Sequence, residues 1–149
     1  MSLPRPLLRH DGDHALSPLL TFIFALACGL IAANLYYGQP LAGPISADLG
    51  FSPQATGLIV TLTQIGYCLG LLLLVPLGDL VENRRLVLIL IGLAALALLG
   101  GALATTPGLF LLACLGIGLA SAAAQVLVPF AASMAPEATR GRVVGNVMS

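Results

Sequence analysis

Residues 55–86 read ATGLIVTLTQIGYCLGLLLLVPLGDLVENRRL. From Ala55 to Gly78 no residue carries a formal charge. A bilayer core is crossed by about 20 apolar residues in a helix, so this run is long enough to span. Asp79, Glu82, Arg84 and Arg85 then follow in quick succession, and a second apolar run starts at Leu86. A span, a short charged connector and another span make a transmembrane helical hairpin.

The same pattern extends in both directions. Spans are predicted at about Ser17–Gly38, Ala55–Gly78, Leu86–Ala104 and Leu109–Ala135, and a fifth apolar segment begins at Val143. Of the whole chain 58% is hydrophobic and 8% charged, with a mean hydropathy of +1.03. A soluble domain of this size needs far more polar surface, so lipid is the solvent and the fold class is an all-α membrane protein. The apolar stretch from about Ala15 to Gly38 is too long for the core of a signal peptide and reads as a retained first span. Pro40, Gly43, Pro44, Gly50 and Pro53 mark Gln39–Gln54 as a connector, with Ser52-Pro53-Gln54 as a helix start. Thr105-Thr106-Pro107-Gly108 reads as a tight turn.

Charge orients the chain. All six basic residues are Arg: Arg5 and Arg9 before the first span, Arg84 and Arg85 after the second, Arg140 and Arg142 after the fourth. The other two connectors have none, which under the positive-inside rule puts the N-terminus in the cytoplasm. Residues 1–16 are then a cytoplasmic tail and residues 17–149 a membrane bundle in the lipid bilayer. Zero formal net charge gives no field to attract nucleic acid, so no nucleic-acid partner is expected. Cys28, Cys68 and Cys114 lie singly in apolar runs and read as small buried packing residues, not as a disulfide or metal set. No metal site, cofactor motif or nucleophile–base pair stands out, so neither cofactor nor enzyme activity is expected.

Within the four spans the polar side chains are neutral. Asn34 and Tyr37 are three apart and share a helix face, as do Thr61 and Gln64. Thr63 and Tyr67 are four apart, as are Ser121 and Gln125. Two readings are open for each pair: hydrogen bonds that join helices, or the polar lining of a substrate cavity. Asn34, Tyr37, Gln64 and Gln125 are the cavity candidates, the two Gln because a buried amide needs several partners. Gly66 and Gly70, with Gly116 and Gly118, read as close-packing stripes. No span holds an ionisable residue, so any proton-titrating group belongs at a helix end or in further sequence.

The stretch Gly78-Asp79-Leu80-Val81-Glu82-Asn83-Arg84-Arg85 resembles the loop between helices two and three of the major facilitator superfamily. That loop runs Gly, three residues, Asp, a basic residue, any residue, Gly, then two basic residues. Asp79 takes the Asp position and Arg84 the second closing basic position. Val75, Leu80, Glu82 and Asn83 depart from the pattern. Residues 34–41, 61–79 and 136–142 are similar to helix one, helix two and the loop after helix four of bacterial efflux-type members. The resemblance implies a partial N-terminal six-helix bundle, here four spans plus the start of a fifth, facing a missing C-terminal half across a central cavity. It implies proton-coupled efflux of a small-molecule substrate by alternating access, in the bacterial inner membrane. Asp79, Arg84, Arg85, Glu137 and Arg140 would form a charge network that switches between conformations at the cytoplasmic seam. Cys114 stands where proton-coupled members often carry Arg. Because such transporters need about twelve spans, the chain reads as part of a longer one. Two other readings are a small four-helix exporter, whose usual Glu in helix one is absent here, and a non-transport scaffold or assembly subunit.

Overall fold

The computed structural model describes residues 17–135, 137 and 139–148, with the side chain of Asp79 not among them. The expected cytoplasmic tail, residues 1–16, lies outside the described residues.

Among the described residues there are six α-helices, α1 (Pro18–Leu49), α2 (Gly57–Leu73), α3 (Asn83–Ala102), α4 (Pro107–Ser121), α5 (Ala123–Ser133) and α6 (Arg140–Met148), with a short 3-10 turn at Pro76–Asp79. Among the described residues four stretches are long and apolar enough to cross a membrane: Pro18–Leu49, Gly57–Gly78, Asn83–Ala102 and Pro107–Ser133. The fourth contains both α4 and α5.

Caps fix two of the helix starts. Ser17 Oγ accepts from the Leu20 amide at 3.2 Å ahead of Pro18. Thr106 Oγ1 accepts from the Leu109 amide at 3.4 Å ahead of Pro107. Both satisfy orphan donors at a helix start, with Pro where its missing N–H is harmless.

The first helix does not stop at Gly38. It runs through Pro40 and Pro44 to Leu49 and ends on Gly50, whose φ of 70° is the left-handed cap that glycine adopts without strain. The two prolines remove only the N–H groups that would have met the carbonyls of Tyr36 and Pro40. Transmembrane helices tolerate such gaps where neighbouring groups can satisfy the freed carbonyls. The connector that follows is therefore short. Ser52 caps a turn there, accepting from the Ala55 amide at 3.3 Å, and α2 starts later, at Gly57. At 32 residues, α1 is about 48 Å long against a hydrocarbon core of about 30 Å. Its last turns, including the exposed Asp48, thus lie near or beyond the bilayer surface.

Packing sets the helix directions. Gly66 of α2 meets the backbone at Leu115 and Gly70 meets Leu119, so α2 and α4 run parallel. Gly101 of α3 meets Phe110 and Ala113, while Gly116 meets Ala97, so α3 and α4 run antiparallel. Phe24 of α1 stacks edge-on against Phe130 of α5 at 5.9 Å, whereas Ala42 packs with Ile59 and Cys114, so α1 opposes both α2 and the fourth span. The directions alternate. Arg84, Arg85, Arg140 and Arg142 consequently share the end of the bundle at which α1 begins.

The α2–α4 contact is the largest between any two helices, and it is made by glycine on both sides. A Cβ at Gly66 would overlap the Leu115 carbonyl, one at Gly118 would overlap the Thr63 carbonyl, and one at Gly70 would lie 2.5 Å from the Leu119 oxygen. Helices in lipid gain nothing from hiding apolar surface from each other, so this backbone-to-backbone approach is what van der Waals packing requires. Two apolar clusters complete the interior. One, toward the Arg-bearing end, joins Cys28, Leu90, Val126, Ala131 and Val147 from α1, α3, α5 and α6. The other, toward the opposite end, joins Ala42, Ile59 and Cys114, with Phe51 edge-on to Phe110. Elsewhere large apolar side chains such as Leu26, Leu72, Leu96 and Leu112 point outward, as they should toward lipid. Cys28 and Cys114 are buried as expected, but Cys68 is exposed on the outward face of α2.

Candidate functional site

Three spans carry the polar candidates, and the structure separates them into three places. Asn34 and Tyr37 share a face of α1 and line a cavity of about 320 Å³ between α1, α2, α3 and α4. Its other walls include Leu41, Ile59, Thr63, Phe110 and Cys114, so the polar groups are few among apolar ones. Gln64 is not on that cavity. It faces outward from α2, on a groove with Val60, Thr61, Ile65, Cys68 and Leu72 from the same helix. Gln125 stands at the seam of α2 and α5, where its Nε2–H donates to Tyr67 Oη at 3.1 Å.

Several predicted pairs resolve differently. Thr63 Oγ1 donates to the Ile59 carbonyl at 2.8 Å, Thr61 Oγ1 to Gly57 at 2.9 Å, and Ser121 Oγ to Ile117 at 2.7 Å. Each hydroxyl donates to the carbonyl one turn back on its own helix, a local solution that spends its donor. Helical spacing placed Tyr67 with Thr63 and Gln125 with Ser121. The structure instead joins Tyr67 to Gln125, because the glycine contacts hold α2 and α4 in a register that brings them together. That pair was the residue set the spacing rule missed, since the rule relates residues of one helix only.

At the Arg-bearing end, a cleft of about 250 Å³ lies between the α2–α3 connector and α5, lined by Pro76, Gly78, Asn83, Gln125 and Pro129. The charged residues surround this end. Arg85 Nε pairs with Glu82 at 3.1 Å with both side chains exposed, so the pair adds little stability. Arg140 Nε donates to the Ala132 carbonyl at 3.1 Å and so caps the C-terminal turn of α5. Arg84 and Glu137 are exposed. The expected seam contact of Asp79 lies outside the described side chains. Arg84 and Arg85 occupy the first turn of α3, where the helix dipole favours anions; Glu82, just ahead of them, offsets part of that cost.

Comparison with known proteins decides the family. Residues 19–149 match the Major Facilitator Superfamily. The chain belongs to that superfamily. It is 44% identical over 137 residues to the uncharacterized transporter YgaY of Escherichia coli, covering 92% of this chain and 35% of that protein. It is 38% identical over 130 residues to a protein named "Probable transporter SCO4007" of Streptomyces coelicolor, covering 85% of this chain and 30% of that protein. The chain thus spans about a third of the length of these relatives. No solved structure matches it. The superfamily assignment makes the four apolar stretches a multi-pass membrane bundle.

Proposed function

We propose that the chain is the N-terminal bundle of a carrier that moves a small solute by alternating access, as proton-coupled efflux across a bacterial inner membrane. Residues 1–16 are its cytoplasmic tail and residues 17–149 its bundle, which works against a C-terminal half. Asn34, Tyr37, Gln64 and Gln125 contact the solute. Asp79, Arg84, Arg85, Glu137 and Arg140 form the charge network whose contacts differ between the two access states.

One observation carries this reading. Gln64 lies within the apolar run of α2 and is exposed, turned away from the other helices. A primary amide facing hydrocarbon has no partner for two donors and an acceptor. A polar group retained at such depth faces a water-filled path or another protein surface. The greater length of the relatives provides such a surface, and the likeness of residues 61–79 to efflux-type members gives the direction. The basic residues gathered at one end support a cytoplasmic N-terminus. Because the spans contain no ionisable residue away from their ends, the titrating group of the proposed coupling lies at a helix end or on the partner half.

The test is solute movement in inside-out vesicles bearing the longest reading frame that contains residues 1–149, with a proton gradient imposed or collapsed. Accumulation of a solute from a labelled panel should follow the gradient and fall at least tenfold in Gln64→Leu. Movement that ignores the gradient removes proton coupling. Movement that survives unchanged in Gln64→Leu removes Gln64 from the pathway.

A further inference from the structure

The fourth span is two bodies, not one. Its α-helical hydrogen bonding breaks at Ala122, whose φ of −61° and ψ of −14° lie nearer 3-10 than α geometry and whose N–H reaches back to Leu119 and Ala120. Gln125 N–H then bonds Ala122 O at 3.0 Å, a three-residue step that belongs to a tightened turn; such a stretch inside a helix is a common mark of a hinge. Two side chains help explain the break. Ser121 back-bonds to Ile117 at 2.7 Å, which bends helices. Pro129 lacks the N–H that would meet the Gln125 carbonyl.

The halves on either side have different main neighbours. The outer half, α4, is held to α2 by Gly66, Gly70 and Gly118 and to α3 by Gly101 and Gly116. The inner half, α5, packs with α6, α1 and α3, so that α1 and α3 touch both halves while α2 holds mainly to α4 and α6 to α5. Beside α5 lies the 250 Å³ cleft against Pro76, Gly78 and Asn83, an unfilled space on one flank of the inner half. A break, two halves with different main neighbours and room on one side are the elements of a bend that can change angle.

Among the described residues, the side-chain hydrogen bond from Gln125 to Tyr67 crosses this break. Gln125 belongs to the inner half. Tyr67 belongs to the outer body, since its backbone nitrogen is packed against Gly118. We infer that the Gln125–Tyr67 hydrogen bond is a latch that sets the angle of the fourth span at Ala122, and that its release lets α5 swing toward the cleft while α2 and α4 stay together. An amide or hydroxyl that competes for Gln125 or Tyr67 opens it, which makes the bend responsive to a bound polar group. This goes beyond the proposed transport reading and does not depend on which solute moves.

Nitrogen-15 relaxation dispersion on the longest reading frame that contains residues 1–149, in detergent micelles, tests the latch, because it detects exchange between conformers on the microsecond-to-millisecond scale of such motions. Tyr67→Phe removes the acceptor oxygen and little else; Gln125→Leu removes the donor at similar size. In each, the minor-state population over residues 123–133 should rise about threefold, the change an interhelical hydrogen bond of ordinary strength in a membrane produces. The double variant should rise no further, and residues 110–119 should stay quiet. Unchanged populations, additive effects, or equal exchange across 110–119 each overturn the latch. Should Gln125→Leu not fold, Tyr67→Phe alone decides.

Discussion

Gly118 of α4 presses its backbone against the Thr63 carbonyl of α2, with no room between them for a methyl group. The contact is reciprocal, since Gly66 and Gly70 press in turn on Leu115 and Leu119. Neither helix can yield alone. Gly118→Ala should therefore destabilise the bundle by about 2–3 kcal/mol, the upper range for overpacking a filled core. Gly92 is a helical glycine with nothing within reach of an added Cβ, so Gly92→Ala should be neutral or stabilising by up to about 1 kcal/mol. Denaturant titration in micelles, followed by far-UV circular dichroism, compares the two. Equal effects at both positions would show that the α2–α4 contact does not hold the bundle.

That contact shows how far the sequence could be read. The four spans were legible because an apolar run of bilayer length has few other uses, and the Gly66–Gly70 spacing announced a close helix pair. The end of α1 was not legible. Pro40 and Pro44 are breakers in water, yet they sit inside a helix that lipid leaves no alternative to, and Gly50 is the true stop. The break at Ala122 was hidden for the opposite reason. Residues 119–124 are mostly Ala with one Leu and one Ser, and the interruption depends on Ser121 bonding back to Ile117 in three dimensions. Of the candidate site, the shared face of Asn34 and Tyr37 follows from spacing alone. The Tyr67–Gln125 bond needed the register between two helices, which no single-helix rule contains.

Arg140 gives a prediction at the other end of the bundle. Its Nε holds the Ala132 carbonyl, one of the orphan acceptors at the end of α5. Arg140→Gln keeps much of the chain length but loses the charge, and should cost about 1–2 kcal/mol, as befits a hydrogen bond from a charged donor that is partly exposed. Limited proteolysis of the 134–140 turn should speed up in this variant while cleavage in the 50–56 turn stays as before. If both turns respond alike, Arg140 is not a local cap.

The alternating helix directions make a labelling pattern. Ser52 lies in the turn between α1 and α2, and Arg84 begins α3 at the opposite end. With the basic residues on the cytoplasmic side, a cysteine in place of Ser52 should react with a membrane-impermeant maleimide added to intact spheroplasts. One in place of Arg84 should react only after permeabilisation. Of the native cysteines, Cys28 and Cys114 are buried and Cys68 lies within a span, so the unsubstituted chain sets the background. The reverse pattern would invert the assigned orientation while leaving the fold intact.

Ser46 supplies the sharpest test of the unexpected end of α1. Among the described residues, its Oγ is buried without a hydrogen-bond partner, and the residue is buried only because α1 continues past Pro40 and Pro44 as a helix. A buried hydroxyl left unsatisfied costs about 1–3 kcal/mol, so removing it should be favourable. Ala is also the better helix former by a few tenths of a kcal/mol. Ser46→Ala should therefore raise stability by about 1 kcal/mol or more in the same denaturant titration. Were residues 39–54 an open connector instead, Ser46 would face solvent, and the substitution would change stability by no more than about 0.5 kcal/mol. A clear gain thus requires both the helix and the burial, whereas a flat result would return the segment to a loop.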